Sequence, residues 1–198
     1  MNPGVLGGLM AWLATLVFLR RHRVWLLFYI AGAVGFTLFG VYFVRGSPVE
    51  GLIERLTAWH AHHLASLVNI ETRVFTNAPG TLLVLVVTQP VGWTVVRIGL
   101  ECSGVLELIV FVSLLLFYPA MGWLRKAWLG TLGVLAIYTA NLLRVLTILV
   151  LLAWGGKGMI FVAHTIIARA LFFGLMLAVY WPIFTRTTTL LVRRRLEG

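Results

Sequence analysis

The stretch Thr81-Leu82-Leu83-Val84-Leu85-Val86-Val87-Thr88-Gln89-Pro90-Val91-Gly92-Trp93-Thr94-Val95-Val96-Arg97-Ile98-Gly99-Leu100 decides how this chain is laid out. Its length would allow it to cross a bilayer as a helix. Gln89-Pro90-Val91-Gly92 cuts it in half, however, and a proline in a helix interior costs about 3 kcal/mol. Each half is rich in Val, Leu and Thr, which suits strands joined by a Pro-Gly turn. The expectation is a short β-hairpin, with Asn77-Ala78-Pro79-Gly80 supplying another turn just before it.

Outward from the hairpin the chain is apolar. Hydrophobic residues make up 61% of its 198 residues and charged ones 11%, and the mean hydropathy is +0.99. These values exclude an ordinary soluble globule. Eight Trp, 12 Phe and 20 Gly fit a polytopic membrane protein, whose interfaces favour aromatics and whose helix contacts favour small residues. The expected fold is an all-α integral membrane protein, residues 1–198 forming one membrane domain. It has about five transmembrane helices, an outer-face amphipathic helix and the short β-hairpin. The expected spans are Val5 to Leu19, Val24 to Val44, Val105 to Trp123, Ala127 to Trp154 and Ile160 to Phe184. The first apolar run lacks a leading basic region, so it does not read as a cleaved signal peptide.

Basic residues cluster at the ends of the apolar runs: Arg20-Arg21-His22-Arg23, Arg125-Lys126, and Arg186 with Arg193-Arg194-Arg195. Cytoplasmic loops carry the excess of Lys and Arg. Placing all three clusters inside gives five spans, an outer N-terminus and a cytoplasmic C-terminus. A sixth span at residues 81–100 would break that agreement, so the charge pattern also favours the hairpin. The net charge of +10 is thereby explained by topology, and no basic stripe with interleaved aromatics suggests nucleic acid. Between Val49 and Val68, the residues Leu52, Ile53, Leu56, Trp59, Leu64 and Leu67 mostly follow helical spacing. They predict an amphipathic helix lying on the outer leaflet.

Three polar residues stand out on the outer side of this scheme. Cys102, the only cysteine, lies in Glu101-Cys102-Ser103-Gly104, where the β-rich stretch gives way to a long apolar run. A lone cysteine excludes an intrachain disulfide, and its ordinary alternative is a small buried hydrophobe. At the N-terminal end of a helix, the dipole and unpaired amides favour thiolate over thiol. His164 stands one turn into the fifth span from the same side. Arg144 lies about ten residues before Trp154, roughly 15 Å deep at 1.5 Å per residue. Its stem can snorkel upward; its other role would be to hold helices together by pairing with an acid. Asn141, three residues earlier, shares its helix face. A thiolate that attacks a carbonyl, an imidazole that moves the proton and a cation that stabilises the oxyanion form a complete acyl-transfer set. Glu101 beside the thiol is expected to turn away or bind a cation. Glu107 and Arg169 lie five residues inward of Cys102 and His164. Glu107 is expected to pair with Arg169 or Arg144, because unpaired charges there are expensive.

Glu101-Cys102-Ser103-Gly104, then Asn141-Leu142-Leu143-Arg144-Val145, then His164 at the head of the last span, resembles the exosortase/archaeosortase family of membrane cysteine transpeptidases, as a short member. The resemblance covers roughly residues 93–175. It implies that Cys102 is the nucleophile, Arg144 the essential arginine and His164 the histidine; Ser103, Asn141, Glu107 and Arg169 are read from their positions as supporting residues. It implies substrates that are exported proteins ending in a short motif, a transmembrane helix and a basic cluster. These are cut near the motif and joined to a surface acceptor such as a lipid or glycan. The implied location is the cell membrane, with the active site extracytoplasmic and no cofactor.

Two other readings remain open at this point. Ser103-Gly104 with a membrane histidine is similar to intramembrane serine proteases such as rhomboids, which carry Gly-x-Ser; here Glu101 occupies the position two before Ser103. A non-enzymatic membrane scaffold or assembly factor would leave Cys102 incidental. His60-Ala61-His62-His63 could suggest a metal site, but there is no His-Glu-x-x-His pattern and no Asp anywhere. Zinc wants three or four well-placed ligands, so the cluster reads as polar surface near headgroups, and His22 as part of a basic loop.

Overall fold

In the computed structural model, which describes residues 3–76, 81–88, 91–119 and 121–185, the stretch after Thr81 is β. Strand β2 (Thr81–Thr88) pairs antiparallel with β3 (Val91–Ile98), in a register running from Thr81↔Ile98 to Thr88↔Val91. A third strand, β1 (Thr72–Phe75), pairs with β2, giving the order β1-β2-β3. The expected hairpin is therefore two-thirds of a sheet. Four residues of Thr-Arg-Val-Phe are too short to betray a strand by periodicity. The two expected turns, at 77–80 and at Gln89-Pro90, lie outside the described residues, as does the basic cluster from Arg186.

The helices are α1 (Pro3–Arg21), α2 (Trp25–Val44), α3 (Pro48–Leu67), α4 (Val105–Phe117), α5 (Trp123–Gly155) and α6 (Ala168–Tyr180). A 3₁₀ turn at Lys157–Met159 and a π-helical stretch at Val162–Ile167 lead into α6, and a second π-helical stretch, Trp181–Thr185, follows it. Among the described residues four helical segments are long and apolar enough to cross a membrane: α1, α2, α5 and the run Lys157–Thr185. This is the make-up of a membrane protein. Helix α4 is shorter than the expected span Val105 to Trp123. It stops at Phe117, ahead of Pro119, which cannot continue a helix. Its 13 residues rise about 20 Å, against a hydrocarbon core of about 30 Å.

Contacts divide the chain into two compact units: residues 1–45 with 106–134, and residues 46–105 with 135–198. In the first, α1 and α2 are locked by Trp12, whose indole Nε1 donates to the Ala31 carbonyl at 2.8 Å. Gly35 makes that possible, because a methyl group there would overlap the same indole. Thr37 and Ser113 hydroxyls meet at 2.9 Å, joining α2 to α4. Lys126 Nζ donates to the Leu116 carbonyl at 2.5 Å, satisfying an acceptor that the end of α4 leaves open.

In the second unit the core joins α3, the sheet and the C-terminal part of α5. Ala61, Leu83, Ile98, Ile148, Leu149 and Leu152 are among its buried members. Helix α3 presents two different faces. Its buried face is small, Thr57, Ala58, Ala61 and Ala65, whereas Leu52, Leu56, Trp59 and Leu67 are exposed. Small side chains at intervals of three and four let the α3 backbone approach the core, and the large apolar ones face outward. An outward apolar face is what an interfacial helix presents to lipid.

Candidate active site

The site is built in the second unit, where the end of β3 turns back beside α5. After Ile98 the chain folds tightly: the amides of Cys102 and Ser103 both donate to the Gly99 carbonyl at 2.9 Å. Gly104 closes the turn with φ +77°, a left-handed conformation that costs an L-residue about 1–2 kcal/mol. A Cβ on it would lie 3.0 Å from Cγ of Asn141. Cys102 thus sits in a turn, just ahead of α4 rather than within its first turn.

Helix α5 holds this turn by its main chain. Asn141 Nδ2 donates to the Cys102 carbonyl at 3.0 Å, and Arg144 Nη1 donates to the Glu101 carbonyl at 3.2 Å. The two residues share one face of α5, as their spacing of three requires. Both are buried. Arg144 does not snorkel outward: its guanidinium carbon lies 5.2 Å from the centre of the Phe172 ring on α6, a cation–π distance. Between Arg144 and Trp154, Ile148, Leu149, Leu152 and Ala153 belong to the core shared with the sheet and α3. Two polar atoms in this cluster keep no hydrogen-bond partner among the described residues, Arg144 Nε and Asn141 Oδ1.

His164 comes from the π-helical stretch Val162–Ile167. Such stretches add a residue to the turn and recur at functional sites. Its Nε2 lies 3.6 Å from Cys102 Sγ, within the longer reach of a sulfur hydrogen bond. The thiol is buried and the imidazole half-buried. Ser103, next to the thiol, is fully buried, and its hydroxyl donates to the Leu100 carbonyl at 3.0 Å.

Four of the residues singled out in the sequence, Cys102, Asn141, Arg144 and His164, therefore converge, and Ser103 adjoins them facing inward. Glu101 contributes its carbonyl while its side chain is exposed. Arg169 is exposed. Glu107 belongs to the other unit, where its Oε2 is buried and has no hydrogen-bond partner among the described residues. Phe172 under Arg144, and a cavity of about 330 Å³ beside His164, were not signalled by any sequence pattern. The cavity is lined by Val95, Val96, Arg97, Ile148, Ile160, Phe161, His164 and Thr165.

The histidines of α3 lie elsewhere in the unit. His60 Nδ1 lies 2.8 Å from the Leu56 carbonyl and 2.9 Å from the Tyr138 hydroxyl. His62 Nδ1 lies 2.7 Å from Thr72 Oγ1. Among the described residues no group of three or more His, Cys, Asp or Glu is placed to hold a metal ion.

Comparison with known protein families, with curated proteins and with solved structures found no match to this chain.

Proposed function

We propose that the chain is a membrane-embedded cysteine peptidase or transpeptidase acting on exported proteins with a C-terminal membrane tail. The observation that carries this reading is the 3.6 Å approach of Cys102 Sγ to His164 Nε2. His164 takes the thiol proton, and the thiolate attacks a peptide carbonyl to give a tetrahedral oxyanion. The imidazolium then returns the proton to the leaving amine and a thioester remains. Water or an acceptor nucleophile on a surface lipid or glycan, deprotonated by His164, attacks the thioester and regenerates the thiol.

The oxyanion needs donors, and the amides of Cys102 and Ser103 are both engaged by Gly99. Arg144, with its Nε unpartnered, is the group we assign to that charge. It cannot act as a base, because it does not lose its proton. The serine alternative is disfavoured by the full burial of Ser103 and the commitment of its hydroxyl to Leu100.

In this reading α4 crosses the membrane as a fifth span, the three basic clusters face the cytoplasm, and the site opens on the extracytoplasmic side. The test is co-expression with secreted proteins bearing the motif, helix and basic tail, followed by mass analysis. The expected result is a tail-dependent mass shift that Cys102→Ala and His164→Ala abolish while Ser103→Ala retains it. Processing that survives Cys102→Ala would overturn the mechanism.

A further inference from the structure

We propose that the substrate binds as an extended strand along the free edge of β3, with one apolar side chain seated in the cavity beside His164. This rests on the reading of Cys102 as the nucleophile and adds how the peptide reaches it.

Strand β3 ends the sheet: among the described residues no strand pairs with it on the side away from β2. An unpaired edge presents a row of main-chain donors and acceptors ready to take another strand. The cavity shows where that edge is open. Its lining includes three consecutive residues of β3, Val95, Val96 and Arg97. Successive side chains point to opposite faces of a sheet, and here Val96 is buried while Val95 and Arg97 are exposed. A space that touches all three lies along the main chain, at the strand's edge, rather than over either face.

The other wall of the cavity carries the chemistry. It holds His164 and the apolar residues Ile148, Ile160 and Phe161. Four residues after β3 ends at Ile98 comes Cys102, 3.6 Å from that same His164. The edge therefore leads to the reactive pair. Strand addition supplies affinity through main-chain hydrogen bonds, and specificity through pockets that take alternate side chains. The occupant this cavity fits is an unfolded peptide with an apolar residue near the cut, since a folded segment has no free backbone to offer.

The test uses the full-length protein in lipid nanodiscs and fluorescent N-acetyl tetrapeptide vinyl sulfones. The Cys102 thiolate adds to the vinyl carbon, the carbon–carbon π bond breaks, and the α-carbon takes the proton from the His164 imidazolium. Iodoacetamide, which needs no groove, reports the thiol alone. Because an added strand bonds its neighbour through alternate residues, single N-methyl groups walked along the probe should slow labelling with a period of two. Losing one such hydrogen bond should slow it by about tenfold, with the interleaved positions unaffected. Leucine should outperform aspartate at one position of the probe, and Phe161→Ala should shift that preference towards a larger residue. Labelling by the probes that ignores N-methylation overturns the proposal while leaving the nucleophile intact. So does labelling by iodoacetamide but by none of the probes. If neither reagent reaches Cys102, the nucleophile reading falls and the proposal with it.

Discussion

Asn141 donates its side-chain amide to the main-chain carbonyl of Cys102 at 3.0 Å. The residue whose thiol meets His164 is thus held through its backbone by a helix 39 positions away. Arg144, one turn on, holds the preceding carbonyl in the same way. Both residues of α5 grip this turn by its main chain, at the Cys102 and Glu101 carbonyls.

Asn141→Leu removes that hydrogen bond, a net loss of about 0.5–1.5 kcal/mol. The thermal midpoint in detergent should fall by several degrees. Processing should fall more steeply than stability does, because the displaced atom adjoins the reacting one. A variant with unchanged midpoint and unchanged processing would show that the bond does neither job.

Gly104→Ala is expected to be more damaging than its single methyl group suggests. The left-handed φ alone costs about 1–2 kcal/mol, and the new Cβ would press on Asn141 at 3.0 Å. We expect lower yield and a lower midpoint. Asn141→Ala should relieve part of the loss if the clash is its source, and none of it if backbone strain acts alone.

Arg144→Lys keeps the charge and should still fail. A lysine ammonium has no counterpart to Nε and cannot stack flat on Phe172 while bonding the Glu101 carbonyl. If Arg144 serves the oxyanion, turnover should drop by about 10²–10³, with insertion in the membrane and iodoacetamide labelling of Cys102 retained. Full activity in the lysine form would mean that a point charge suffices.

Reporter fusions check the sidedness proposed for the site. Fusions after Lys126 and Gly198 should read cytoplasmic, and one after Asn77 should read exported. An exported C-terminal fusion would end the topology.

The membrane character, the helical bounds of α1 and α2 and the strands β2 and β3 were all legible in the sequence. Each is a local property: hydropathy over some twenty residues, or a Pro-Gly interruption of β-branched runs. Cys102, Asn141, Arg144 and His164 were legible too, because a polar residue in an apolar run is costly and so stands out. What the sequence could not contain is what those residues meet. That Arg144 lies buried between a main-chain carbonyl and the Phe172 ring, and that α5 is covered over Ile148–Ala153 by the sheet and α3, depends on contacts between segments far apart in the chain. The amphipathic spacing of α3 was legible, but which of its residues meet the core was not, because close approach selects its alanines by size and not by hydropathy. The 3.6 Å between Cys102 and His164 is decided in the same way, by a π-helical turn and a glycine-closed loop that only tertiary packing brings together.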